Sequence, residues 1–178
     1  MSYLASTSRT DILFAMHQCA RFSLCPKRCH EEAAKRLGRY LKQTKEKVIV
    51  HVFDTTKGIE VCVHADFVGS RTLADTLDIR SAFSRTGYVI KVVKCPTCWV
   101  SKIQTEVALS KTEAEHIALS QSTRDLIPIK NLVECLNTFI KVNNKEITTY
   151  SILFKDNAGT LQLATEPKYR PEDKTHMC

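Results

Sequence analysis

An α/β layer is the fold class that the residue order predicts. Three observations lead there. The apolar period changes once, near residue 48, from helical spacing to β-branched runs. A long helical pattern opening at Ser110 or Thr112 separates those runs from one further strand. A strand that returns after such a helix pairs in parallel with an earlier one, which calls for a central parallel pair.

Each element follows from local pattern. Over residues 11–22, Ile12, Ala15, Met16, Cys19 and Ala20 recur at helical spacing, with Thr10 or Asp11 available as a cap. A second helix follows Pro26. Ala33, Ala34, Leu37, Tyr40 and Leu41 form its buried stripe, and Lys35, Arg36, Arg39 and Lys42 form a basic face. Residues 48–53, 59–66, 88–93 and 98–100 read as strands on their β-branched content. Between them, residues 68–84, with Gly69, Asp75 and Asp78, lack a period and read as a long loop. Cys95-Pro96-Thr97-Cys98 reads as a tight turn, since Pro96 suits a bend. The long helix carries Ala114, Ile117, Ala118, Leu126, Ile129, Leu132, Val133 and Leu136, and Pro128 is expected to kink it rather than end it. A strand over 150–155 then runs into Asp156-Asn157-Ala158-Gly159 and a short helix through Leu161 and Leu163.

Composition bounds the function classes. With 178 residues, 43% hydrophobic and 25% charged, the chain has the makeup of a folded globular protein with a real core. Its net charge of +7 fits a phosphate-rich partner such as nucleic acid, though solvated basic faces give the same number. No run of about 18 apolar residues occurs, and the start lacks a signal-peptide pattern, so the expectation is no membrane and an intracellular site, cytoplasmic or nuclear. In that reducing setting the eight cysteines read as small buried residues or free thiols rather than a disulfide framework. Cys95 and Cys98 have zinc-knuckle spacing, and Cys25, Cys29 and His30 offer donors from which a tetrahedron could be completed. A second C-x-x-C pair is missing, which argues against zinc. Oligomeric state is left open.

Three short segments carry the chemistry: residues 63–67, 112–115 and 153–157. Each sets an acidic residue where a strand or helix meets a turn. Together they suggest a carboxylate-built magnesium site, which cuts phosphodiesters by holding two cations about 4 Å apart. His64 stands where such a site wants an acid. Structural roles compete with this reading. Ser110–Glu113 and Thr112–Glu115 are both capping-box spacings; the overlap favours Ser110 with Glu113, leaving Glu115 one turn in and free. Asp156 has an alternative use as an Asx-type cap of the short helix.

Several segments, in order, resemble copia-type retrotransposon polyproteins. Residues 107–118, Val-Ala-Leu-Ser-Lys-Thr-Glu-Ala-Glu-His-Ile-Ala, are similar to V-A-L-S-x-T-E-A-E-Y-I-A of the ribonuclease H region. Residues 84–89 resemble S-x-S-G-Y-V, residues 99–104 W-x-S-K-x-Q, and Lys155-Asp156-Asn157 x-D-N. Residues 3–5, 8–12 and 34–42 resemble the end of the reverse-transcriptase region. The resemblance implies a ribonuclease H-like mixed sheet flanked by helices, cutting RNA in RNA:DNA hybrids with two Mg2+ ions. It divides the chain into a helical reverse-transcriptase connection segment, 1–48, and a ribonuclease H-like domain, 49–178, incomplete at its C-terminus. It makes Glu115 and Asp156 the metal ligands and catalytic carboxylates, and the rest of a polyprotein a partner.

Departures from the family pattern bear on activity. The family's S-D-A-D-W-A-G is replaced by Val63-His64-Ala65-Asp66-Phe67-Val68-Gly69, so His64 occupies the place of the bridging Asp. Imidazole is a poor ligand for a hard ion, and a lost anion leaves the repulsion of two cations uncompensated. Asp66, the possible substitute, lies on the same strand face but about 6.6 Å along. The family's fourth carboxylate, in a later A-D-x-x-T-K motif, has no counterpart before Cys178. The expectation is a weakened or inactive ribonuclease H, or a non-catalytic domain binding hybrid or single strands. Arg85, Lys102, Lys168 and Arg170 are the residues expected to bind nucleic acid, Lys102, Lys168 and Arg170 around the cleft and Arg85 with Arg80 near the loop, with Lys35, Arg36 and Arg39 on the basic helix.

Overall fold

The α/β expectation holds, in a computed structural model that describes residues 1–68, 82–139 and 147–165. Three helices come first: α1 (Ser2–Thr7), α2 (Leu13–Ala20) and α3 (Arg28–Gln43), with one 3-10 turn at Thr10–Ile12 before α2. Then follow β1 (Ile59–Asp66), β2 (Arg85–Val92), β3 (Cys95–Ile103), α4 (Lys111–Phe139), β4 (Ser151–Phe154) and α5 (Ala158–Thr165). The four strands form one mixed sheet in the order β3-β2-β1-β4. β1 and β2 are antiparallel, as are β2 and β3, while β4 returns after α4 to lie parallel to β1.

Alternation along β1 explains why α4 packs where it does. Ile59, Val61, Val63 and Ala65 are buried, and with Tyr88 and Ile90 of β2 they meet Ala114, Ala118, Leu126 and Val133 of α4. Small residues at 114 and 118 let the helix approach the sheet closely. Pro128 lies inside α4 without ending it. Ser110 Oγ accepts the Glu113 N–H at 3.1 Å, and the Glu113 carboxylate accepts the Leu109 N–H at 2.7 Å, so this pair caps α4 and Glu115 is left for other use.

Four local expectations are corrected. The helix expected from residue 11 is broken into the 3-10 turn and α2, and neither Thr10 nor Asp11 caps it. Asp11 instead takes a two-pronged bond from Arg9, 2.9 Å on each oxygen, and the Tyr40 hydroxyl at 2.8 Å. The guanidinium holds the Asp11 carboxyl well below the usual carboxylate range. On α3 only Leu37 of the expected stripe is fully buried, because the small second core, Ala5, Ile12 and Leu37, touches only the C-terminal half of that helix.

Residues 48–53 form no strand; Val48, Val50, Val52 and Phe53 are exposed. No strand of the sheet pairs with this segment, and β-propensity without a pairing partner does not make a strand. The hairpin turn is also shifted. Val92 pairs with Cys95, so Val93 and Lys94 make a two-residue turn with φ of 48° and 69°. That is the left-handed pair a type I′ hairpin demands. Pro96 lies inside β3 at a register irregularity, where a missing N–H is tolerated. Cys95 is buried and Cys98 half-buried within this hairpin, while Cys25 and Cys29 are exposed at the start of α3.

The N-terminal helices sit against the sheet face opposite α4. Trp99 Nε1–H donates to the Ala5 carbonyl at 2.8 Å, and the Arg85 guanidinium stacks on Phe14 at 5.0 Å. No helix among the described residues is long and apolar enough to cross a membrane.

Candidate functional site

The site forms where β1 and β4 part. The two strands stay paired as far as Cys62 and Phe154, after which the chain turns away through Lys155, Asp156 and Asn157. β1 continues to Asp66, so the edge of its last residues is left without a neighbour on that side. Gaps outside the carboxyl ends of parallel strands are where α/β sheets bind ligands.

Glu115, one turn into α4, reaches into this gap. It is fully buried, and its Oε2 accepts the Ala65 N–H at 2.8 Å. The same oxygen is ion-paired with the Lys155 ammonium, and both side chains are wholly shielded from solvent. Oε1 has no hydrogen bond and faces His64 Nδ1 at 3.2 Å. His64 Nδ1 lies 3.5 Å from Asp156 Oδ2, and both of these side chains are mostly exposed. One ligand atom from each of His64, Glu115 and Asp156 falls within 4.8 Å of the others. Among the described residues this is the one such group, and it contains no cysteine.

Asp156 is free for this position because its neighbour does the capping: Asn157 Oδ1 accepts the Thr160 N–H at 2.9 Å at the start of α5. Asp66 lies outside the group, exposed at the strand end opposite Arg85. Arg85, the first residue of β2, is not exposed. It is buried under Phe14, with Nη1 donating to Ser101 Oγ at 3.3 Å, and burial and Arg21 push its guanidinium down while Asp66 opposes them. Its role here is packing of the helices on the sheet, because the N-terminal segment covers this face. Lys102 is exposed on β3, two strands from β1. Arg80, Lys168 and Arg170 lie outside the described residues. A cavity of about 660 Å3 lies between Leu13 and Phe14 of α2 and the sheet and is lined by Val89, Trp99, His64 and Asp156 among others.

Lys155 is the residue that motif reading missed. Burial pushes its ammonium down, Asp156 opposes that, and Lys111 adds to it. The signal was present in the alternation: Ser151 and Leu153 point to the α4 side, and Lys155 continues their period into the Glu115 pocket.

Two magnesium ions, the cofactor implied by the resemblance, do not fit this donor set. Mg2+ takes oxygen ligands in octahedral geometry, and a pair of ions needs an anion between them. Here the central group is an imidazole, one of the two carboxylates is already neutralised by an ammonium, and the other is mostly solvent-exposed.

Comparison with known proteins gives relatives along almost the whole chain. It is 27% identical over 98% of its length to the retrovirus-related Pol polyprotein from transposon RE1 of Arabidopsis thaliana, and spans 11% of that protein. It is 29% identical, again over 98% of its length, to the Pol polyprotein from transposon TNT 1-94 of Nicotiana tabacum, spanning 12% of it. It is 32% identical over 70% of its length to the secreted RxLR effector protein 161 of Plasmopara viticola, of which it covers 82%. No protein-family model matches the chain, and no solved structure matches it.

Proposed function

Because the chain belongs to the family of copia-type retrotransposon Pol polyproteins, whose curated members it spans over about a ninth of their length, we propose that it derives from their ribonuclease H region and has lost metal-dependent hydrolysis. One observation carries this reading. An imidazole, His64, stands between Glu115 and Asp156 at the end of β1, where hydrolysis of a phosphodiester by two ions needs a bridging anion.

What the domain retains, on this reading, is nucleic-acid binding. The net charge of +7 and the exposed Arg36, Arg39 and Lys42 on α3 support contacts to a phosphate backbone. Lys35 on the same helix is tied to Glu31 at 2.6 Å and adds less free charge. Residues 1–48 then act as a connection segment, and residues 49–178 as the ribonuclease H-like domain.

The test is incubation of a labelled RNA:DNA hybrid with the purified protein in Mg2+ and in Mn2+, with Glu115→Ala as control. The expected outcome is no cleavage above background and binding that weakens steeply with salt. Hydrolysis that disappears in the Glu115→Ala variant overturns the proposal.

A further inference from the structure

We infer that the Lys155 ammonium is the resident cation of this site, neutralising Glu115 from inside the protein in the way a bound metal ion would and closing that carboxylate to divalent ions. The inference rests on the reading of Glu115 as a former metal ligand, and it adds what now occupies the ligand.

The argument begins with burial. Glu115 has no solvent exposure, and an ionised carboxylate in that position is tolerated only with a partner of opposite charge and with its lone pairs in use. Its Oε2 has both: the Ala65 N–H and the Lys155 Nζ. Lys155 Nζ also lies 3.4 Å from the Val63 carbonyl, so the ammonium touches a carboxylate oxygen and a strand carbonyl together, as an oxygen-seeking ion would. The link joins α4, the end of β1 and the turn after β4, the three elements that frame the gap.

The same geometry excludes a second cation. An ion approaching Glu115 Oε2 meets the ammonium on that atom. What remains is Oε1, His64 Nδ1 and the exposed Asp156. Lysine is suited to this use because its charge sits at the end of a flexible stem and behaves as a compact point charge.

Melting temperature in EDTA, Mg2+ and Mn2+ tests the idea, with free Mn2+ counted in parallel by electron paramagnetic resonance. The wild-type protein is expected to melt alike in all three and to take up no Mn2+. Lys155→Ser is expected to melt lower in EDTA and to regain several degrees on millimolar Mn2+, because the emptied position then takes the ion. Lys155→Ser combined with Glu115→Gln, which removes both charges, is expected to fold and to ignore ions. A folded Lys155→Ser protein that melts identically with and without Mn2+ overturns the inference while leaving the loss of hydrolysis standing. Should Lys155→Ser fail to fold under every condition, the wild-type titration still decides. Mn2+ uptake that vanishes in Glu115→Gln refutes the ammonium assignment, and its absence supports it. Hybrid cleavage by the wild type would instead count against the preceding proposal.

Discussion

Trp99→Phe probes how the N-terminal helices are held on the sheet. The indole N–H donates to the Ala5 carbonyl at 2.8 Å, and Ala5 is 1% exposed, so no water can replace the bond once it is lost. Leaving a buried acceptor unpaired costs about 1–3 kcal/mol. The smaller ring removes little else, since Trp99 is only half-buried. Thermal unfolding should fall by about 2–4 °C for each kcal/mol in a chain of this size. The sharper readout is hydrogen exchange. If α1 and α2 detach as a unit, their amides should exchange about 5- to 150-fold faster in the variant, the factor corresponding to about 1–3 kcal/mol, while the amides of β1 and β2 change less. Trp99→Leu, which also removes the ring, should amplify both effects. Unchanged exchange in α1 and α2, or an equal acceleration throughout the sheet, would refute the view that this bond fastens the helical segment.

Two further predictions concern the sheet. Lys94 has φ of 69° in the hairpin turn, so Lys94→Gly should relieve backbone strain that Lys94→Ala keeps. Both lose the exposed ion pair with Asp54, so the glycine variant should melt about 2–4 °C above the alanine one, and equal or reversed melting points would contradict the turn assignment. Tyr88, the second case, donates its hydroxyl to Asp125, and burial together with that carboxylate raises its phenol above the ordinary range. A raised folded value means that the stabilisation is complete below the unfolded value of about 10 and is lost as pH climbs above it. Denaturation followed between neutral and strongly alkaline pH should show this loss in the wild type and a weaker one in Tyr88→Phe.

Legibility in the sequence followed the range of the physics. β1 and α4 were readable because their alternation and helical period coincide with their burial, and β4 because it had to return beside an earlier strand. The grouping of His64, Glu115 and Asp156 depends on that topology, which brings residues distant in the chain to one gap. Local chemistry misled where tertiary contacts decided. Pro96 suggested the turn, but the left-handed pair Val93 and Lys94 makes it, and the burial of Val93 accounts for a valine in a place that suits glycine or asparagine. Asp11 suggested a cap, but Arg9 claims it through a bond that spacing does not reveal. Arg85 suggested a nucleic-acid contact because charge alone does not tell an exposed guanidinium from one packed under Phe14. Lys155 was overlooked because a lysine beside an acid reads as an ordinary surface pair until the carboxylate it meets is known to be the one inside the protein.

The valine-rich stretch over residues 48–53 carries a consequence of its own. It has a fibril former's composition, no proline or glycine to interrupt it, and open flanks on the outside of the molecule. An exposed segment of this kind is an aggregation hazard, and a charged replacement such as Val50→Lys is expected to raise the concentration at which the protein stays monodisperse, as light scattering would show.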